Sequence, residues 1–105
     1  MIVRIWHGWA SQGNADRYEA LLKEEIFVGI GNRLTRGYHG IELLRRDVGC
    51  EVEFVTVMRF HDLDSVREFA GDDYEEAVVP PKARALLSHF DERSQHYEVR
   101  EGLEA

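Results

Sequence analysis

The stretch EVEFVTVMRF, residues 51–60, is the clearest β-strand pattern in the sequence. β-Branched and aromatic residues dominate it, and its even positions from Val52 to Phe60 form one continuous face. The odd positions carry Val55 and Val57 between two charged residues. Because a strand with one wet face alternates cleanly between apolar and polar residues, this stretch is predicted to be covered on both faces.

Strand-like and helix-like patterns alternate around this stretch in the order βαββαβ. Further strands are predicted at residues 2–9, 38–48 and 94–100, and Gly49-Cys50 is the expected turn of a hairpin that joins residues 38–48 to residues 51–60. This order is typical of a ferredoxin-like α+β fold, in which an antiparallel sheet carries its helices on one face.

Two helical regions are predicted between these strands. A stripe from Tyr18 to Ile30 at four-residue spacing predicts the first helix, with Asn14 as its N-cap and an irregular tail at the glycines that follow residue 28. Asp62 is expected to cap a short second helix that Gly71 ends. A further helical turn is predicted at residues 74–79, followed by a helix that starts at Pro81 and reaches Phe90.

Two helices can cover only one face of such a sheet, and the strands at residues 2–9 and 51–60 are apolar on both. Burying several hundred Å² at about 25 cal/mol per Å² is a large contribution beside a domain stability of roughly 5–15 kcal/mol. A second copy of the chain, packed sheet against sheet, would bury this face. The sequence therefore predicts a homodimer.

Size and charge restrict the classes of protein that remain. The 105 residues, of which 44% are hydrophobic and 31% charged, fit one globular domain spanning residues 1–105. A formal net charge of −7 disfavours nucleic acid or an anionic membrane surface as a partner. No apolar run approaches the roughly 20 residues of a membrane span. The lone Cys50 cannot form an internal disulfide, so a cytoplasmic location is expected.

The chain resembles the antibiotic biosynthesis monooxygenase family of the dimeric α+β barrel superfamily. The resemblance extends from about Met1 to Arg100 and is carried by five segments: MIVRIWHGW, DRYEALLKEEI, EVEFVTVMRF, FAGDDYEEAVVPPKARALL and SQHYEV. It implies two chains whose sheets form a barrel, and in each chain a pocket between sheet and helices. It does not imply a single reaction; among the activities of the family, we expect a cofactor-independent monooxygenase that acts on a small aromatic or quinone-like molecule.

Two other functions stay open. One is a non-catalytic ligand-binding or stress-response protein of the same dimeric fold. The other is haem degradation, which is less favoured because the positions resembling the Asn, Trp and axial His of the haem-degrading branch hold His7, Phe69 and Val79. Haem iron needs an axial ligand, and a valine cannot be one, although His89 lies nearby in the sequence.

His7 is the candidate catalytic residue, because the resemblance implies that its strand face points into the pocket. An imidazole is suited to remove a proton from a phenol or enol near neutral pH. The alternative is a buried histidine that hydrogen-bonds to a neighbouring strand.

Six further side chains are candidates for contacts with an aromatic substrate, although aromatic residues at these spacings are more often part of a core or a dimer interface. Phe69 and Tyr74 are the strongest aromatic candidates, and a relation between His7 and His96 across neighbouring strands is conceivable. No histidine spacing typical of a metal site occurs, so neither a metal nor a cofactor is expected. The six candidates are Trp9, Tyr18, Phe69, Tyr74, His89 and His96.

Overall fold

The structure, a computed structural model, describes residues 1–33 and 36–104. Its described part contains a five-stranded antiparallel sheet in the order β2-β3-β1, with two short strands, β4 and β5, paired to the remaining edge of β1. This arrangement confirms the ferredoxin-like α+β fold. The strands are β1 (Ile2–Ser11), β2 (Tyr38–Asp47), β3 (Glu51–Phe60), β4 (His89–Phe90) and β5 (Gln95–Glu98).

The central pair, β1 and β3, decides which side chains meet the helices. The two strands pair over their whole length, with Ile2 opposite Phe60 and Ser11 opposite Glu51. The even residues of β1 from Arg4 to Ala10 are buried under the helices, whereas the odd residues are half-exposed on the other face. Since successive side chains of a strand point to opposite faces, neighbours in sequence are separated by the thickness of the sheet.

The first helical region is continuous from α1 (Gln12–Leu21) through a π-helical turn (Leu22–Ile26) to α2 (Phe27–Arg33). Its N-cap is Ser11, whose hydroxyl accepts a hydrogen bond from the Asn14 amide at 3.2 Å. The prediction of Asn14 as the cap is therefore wrong, because the helix starts directly at the end of β1. The irregular tail predicted after residue 28 is also wrong as far as Arg33, and residues 34–35 lie outside the described residues.

The second helical region begins as predicted with α3 (Leu63–Ala70). The Asp62 carboxylate accepts a hydrogen bond from the Ser65 amide at 2.9 Å, and α3 ends at Gly71, whose φ of 89° suits glycine. Residues 74–79 do not form the predicted helical turn. The carbonyls of Tyr74 and Glu76 accept hydrogen bonds from a side chain on β1 instead of from amides further along the same segment.

The last helix, α4 (Pro81–Leu86), starts at the predicted proline but is shorter than predicted. It ends at Leu86 because the chain then turns into an extended conformation at Leu87, and Phe90 belongs to β4. The core has two clusters, one around Tyr18 and Phe54 and the other around Phe60 and Val66. Among the described residues, no helix combines the length and the apolar character that a membrane span requires.

Candidate functional site

A cleft lies between the sheet and the helices, in the position that the sequence resemblance implies. It contains about 470 Å³ of empty space including its mouth. Its inner part is narrow, so an aromatic ring needs the walls to move apart. The sheet contributes Arg4, Trp6, Ile41, Thr56 and Met58; helical residues and the residues after α3 contribute Tyr18, Leu22, Ile26, Phe27, Ile30, Phe69, Val78, Val79, Pro80, Ala83 and Ser94.

The π-helical turn forms part of the cleft wall. Its first and last residues, Leu22 and Ile26, both line the cleft, and Leu22 is also buried in the core. A π-helical turn gives up regular hydrogen-bond geometry and occurs often at functional sites. The first helical region therefore departs from regular α-helical geometry at the point where it lines the cleft.

The mouth of the cleft lies between α2 and the segment before α4. A second depression at the surface shares Ile26, Ile30, Phe69, Val78 and Pro80 with the cleft, so the two form one path to solvent. Two charged residues stand on the outer rim, one acidic and one basic. They are Glu25 and Arg33.

The inner end of the cleft holds a buried cation. Arg4 is 3% exposed, and its guanidinium donates hydrogen bonds to the Tyr74 carbonyl and, from Nη2 at 3.0 Å, to the Glu76 carbonyl. Nη1 also lies 3.0 Å from Nε2 of His96. Burial lowers the pKa of Arg4 to about 10, which still leaves it charged at neutral pH. Within the described part of the chain, Arg4 has no carboxylate partner.

Two further polar atoms near Arg4 are buried without a hydrogen-bond partner among the residues that the structure describes. They are the hydroxyl of Ser94, a residue that is 3% exposed and lines the cleft, and Nδ1 of His96. Because Arg4 donates to Nε2 of His96, the neutral imidazole carries its proton on Nδ1. Burial, reinforced by the charge of Arg4, lowers the pKa of His96 to about 4.

Aromatic side chains form the rest of the wall. The indole Nε1 of Trp6 donates to the Asp91 carbonyl at 2.7 Å, which fixes the plane of the ring. The ring of Tyr18 meets that of Phe54 edge to face at 4.8 Å, and burial raises the pKa of the Tyr18 phenol. The ring of Phe69 lies 5.3 Å from the guanidinium of Arg4. These contacts hold aromatic rings in place on both the sheet side and the helix side of the cleft.

The structure separates the predicted site residues into three groups. Tyr18 and Phe69 line the cleft. Tyr74 and His96 lie behind Arg4 at the inner end, with their rings 5.1 Å apart in an edge-to-face contact, but neither lines the cleft. The other three, His7, Trp9 and His89, lie on the helix-free face of the sheet.

The expected orientation of His7 is wrong, because its odd position on β1 points it away from the helices. Its Nδ1 donates to Glu53 at 2.9 Å, and Arg46 donates to the other oxygen of the same carboxylate at 2.7 Å. These two hydrogen bonds lower the pKa of Glu53. The conceivable relation between His7 and His96 is also absent, since His96 pairs with Arg4 on the opposite face.

Trp9 and His89 form a separate contact on this face. Their rings stack with centroids 4.5 Å apart and planes 6° from parallel, and Nε2 of His89 lies 3.1 Å from a carboxylate oxygen of Glu51. Neither ring reaches the cleft. Across residues 1–33 and 36–104, His, Cys, Asp and Glu side chains form no group of three that could hold a metal ion.

Among the cleft residues that the sequence did not predict, Arg4 and Ser94 carry the buried polar groups at its inner end. The signal for Arg4 was available: it is a charged residue on the same strand face as Trp6, within the otherwise apolar run IVRIW. Ser94 carried no such signal, because a single serine just before β5 is indistinguishable from an ordinary turn residue.

Comparison with solved structures gives the same architecture. A protein from Bacillus cereus that is named provisionally as an antibiotic biosynthesis monooxygenase matches 99% of this chain and 95% of its own, with a TM-score of 0.68 and 14% identity. SnoaB, a cofactor-independent oxygenase from Streptomyces nogalater, matches 97% of this chain and 96% of its own, with a TM-score of 0.61 and 17% identity. A single-residue variant of SnoaB gives a TM-score of 0.63 at 18% identity.

These likenesses show that the chain has the fold of antibiotic biosynthesis monooxygenase-type proteins over nearly its whole length. No protein-family model and no curated protein matches the sequence. The resemblance drawn from the sequence is thus confirmed for the fold, and activity is a separate question because one fold carries many activities.

Proposed function

We propose that this protein is a cofactor-independent monooxygenase that oxidises a small aromatic or quinone-like molecule in the cleft between sheet and helices. The observation that carries the proposal is the composition of the cleft, whose described lining has apolar and aromatic walls and one buried cation, Arg4, at its inner end. The shared fold with SnoaB, named as a cofactor-independent oxygenase, supports it by analogy.

The proposed reaction needs an electron-rich substrate anion and dioxygen. The anion of a hydroxyaromatic or anthrone-type substrate transfers one electron to O₂. The substrate radical and the superoxide that result then combine to form a C–O bond. The peroxide then loses water, so that one CH₂ group and one O₂ give one C=O group and one H₂O. The substrate supplies all the electrons, and no external reductant is required.

The cleft residues would assist this reaction in two ways. The positive charge of Arg4, held in a poorly solvated place, would stabilise the negative charge of the substrate anion much more strongly than water-exposed charges do. The rings of Trp6 and Phe69 would hold the substrate ring and keep water away from the radical pair.

His7 has no access to this cleft, so its predicted role as base would require a reaction on the helix-free face. There its Nδ1 donates to Glu53, which leaves Nε2 as the basic nitrogen. A reaction on the helix-free face is a distinct hypothesis. Substitution of His7 distinguishes it from a reaction in the cleft.

We further propose that the helix-free face joins two copies of the chain. Leu44 is 48% exposed and Tyr97 is 56% exposed on this face, and they flank the half-exposed residues Ile5, Val55 and Val57. An apolar patch of this kind on a sheet is typical of a protein interface. A homodimer would cover it and leave both clefts open on the outer, helical side of each chain.

A non-catalytic ligand-binding protein is the second candidate. The described lining of the cleft favours it, because it contains no histidine or carboxylate that could act as a general base. Haem degradation finds no support in the described lining, where Val79 stands in place of an axial histidine and no histidine or cysteine occurs.

Oxygen consumption tests the proposal. Protein treated with a chelator is mixed with a panel of anthrones and hydroquinones in an oxygen electrode, alongside Val79→Phe, which fills the cleft wall, and Val28→Phe on the exposed surface of α2. We expect uptake by the wild type and by Val28→Phe, and a loss of about tenfold or more in Val79→Phe. Equal uptake by both variants, or none by the wild type, would contradict the proposal.

A further inference from the structure

We infer that the inner end of the cleft is an anion subsite, and that the substrate is a hydroxyaromatic or enol bound with its negatively charged oxygen against Arg4 and Ser94. This inference rests on the proposed function and names its substrate class. It restricts the substrates to molecules that have already lost a proton when they bind.

The charge of the cleft is the first argument. Arg4 is the one charged residue among the described residues that line it, and no carboxylate lies there to balance it. A buried cation without a counter-ion is costly, and an anion bound beside it would remove part of that cost. Carbonyl oxygens of Tyr74 and Glu76 hold the guanidinium in place without neutralising it.

Unused hydrogen-bond donors are the second argument. A guanidinium has five N–H donors. Those of Arg4 meet the two carbonyls and His96, so the described residues leave part of this capacity free. Ser94 lines the same cleft, and its hydroxyl is buried with no hydrogen-bond partner among the residues described. A phenolate or enolate oxygen accepts several hydrogen bonds and would engage both groups.

The absence of a base is the third argument. The titratable groups in the described lining are Arg4 and Tyr18, a cation and a phenol whose pKa burial raises. His96, behind Arg4, accepts a hydrogen bond from it and has a pKa of about 4, so it is a poor acceptor for a substrate proton. The exposed carboxylates of the neighbouring segment, Glu75 and Glu76, lie outside the lining. The substrate proton is therefore released to solvent.

The chemistry of the proposed reaction selects among anions. A carboxylate would fit the charge of the subsite but does not give an electron to dioxygen. A phenolate or enolate meets both requirements, because the charge that Arg4 would bind is the same charge that makes the ring oxidisable.

The test uses 4-nitrophenol, a single-ring phenol whose visible absorption band appears only when it is ionised. The pH titration of the bound probe is followed in the wild type, Arg4→Met, Arg4→Lys and Ser94→Ala, with 4-nitroanisole as the uncharged analogue. We expect the wild type to lower the pKa of the bound phenol by about one unit or more, since an opposite charge within hydrogen-bond reach does so. We also expect it to bind the phenolate about tenfold more tightly than the anisole.

The variants show whether Arg4 and Ser94 themselves, and not the cleft as a whole, cause the lowered pKa of the bound phenol and the preference for the phenolate. Arg4→Met should lose the shift and the preference, Arg4→Lys should keep part of both, and Ser94→Ala should weaken phenolate binding about two- to tenfold. Circular dichroism shows which variants fold. The wild type alone can overturn the inference. It would do so if the pKa of the bound nitrophenol were unchanged or raised, or if nitrophenol and nitroanisole bound equally well.

The result of this titration is independent of the result of the oxygen-consumption test, so failure of the subsite can be distinguished from failure of the proposed function. Oxygen uptake without a preference for the phenolate would support the monooxygenase proposal and contradict the anion subsite. Phenolate preference without oxygen uptake on any substrate would keep the subsite and leave a protein that binds hydroxyaromatic anions.

Discussion

Arg4 and His96 face each other across β1 and β5, with Nη1 of the guanidinium 3.0 Å from Nε2 of the imidazole. A protonated imidazole has no lone pair to offer, so this contact exists only while His96 is neutral. The pair therefore keeps one positive charge at the inner end of the cleft instead of two. The charge belongs to Arg4, the residue that lines the cleft.

The first prediction concerns the pH dependence of stability. Folding lowers the pKa of His96 from 6.5 to about 4. Between these two pH values the unfolded chain therefore binds more protons than the folded chain. Stability should therefore decrease as pH falls from about 6.5 to about 4, and this contribution should be constant above that window. We expect a loss on the order of 1 to 2 kcal/mol after allowance for partial exposure, measured by urea denaturation.

A His96→Gln variant isolates this contribution from the carboxylates that titrate in the same range. The difference in unfolding free energy between wild type and variant should shrink as the pH is lowered through the window. A difference that stays constant from pH 7 to pH 4 would show that His96 titrates normally in the folded chain.

The second prediction concerns Gly8. A Cβ atom at this position would lie 2.6 Å from Cη2 of Trp6 and 3.3 Å from Cδ2 of Leu87, so Gly8→Ala must displace the indole ring. Because Trp6 donates to Asp91 and lines the cleft, we expect a loss of about 1–3 kcal/mol in unfolding free energy and weaker nitrophenol binding.

Gly13→Ala is the matched control for this substitution. Gly13 lies in the first turn of α1, and nothing stands within 4 Å of an added Cβ. Alanine there should be neutral or stabilise the fold by up to about 1 kcal/mol. Similar losses in both variants would show that Gly8 has no special contact with Trp6.

The third prediction concerns assembly. Leu44→Glu places a charge on the apolar, helix-free face, whereas Val28→Glu places one on α2, where the valine is 53% exposed. By light scattering at micromolar concentration, we expect the wild type and Val28→Glu to have twice the mass of one chain. Leu44→Glu should shift toward the monomer, with a dimer dissociation constant at least about tenfold higher. A monomeric wild type would contradict the dimer.

The sequence was sufficient to predict four of the five strands and the short helix α3, because their local signals agreed. The alternation in residues 51–60, the Asp62 cap and the Gly71 stop each specify a local conformation that tertiary packing retains. The N-cap was predicted three residues late because the first strand was predicted to end at Trp9, whereas it continues to Ser11, which serves as both strand end and cap.

The site was harder to predict because it depends on which face of β1 meets the helices. Both faces of this strand are apolar, so periodicity could not decide between the side of Trp6 and the side of His7. The buried position of Arg4 depends on contacts with residues about 70 or more positions away in sequence, such as Tyr74 and His96. No local pattern records such contacts.

The most direct test of the central claim compares Arg4→Met with His7→Ala in oxygen consumption on one anthrone substrate, under conditions in which both variants are folded. If the cleft is the active site, Arg4→Met should lose most of its uptake, by about a hundredfold for a buried group that stabilises the reacting anion. His7→Ala should keep uptake within a few fold of the wild type. Loss of uptake in His7→Ala with retention in Arg4→Met would contradict the account and place the reaction on the helix-free face.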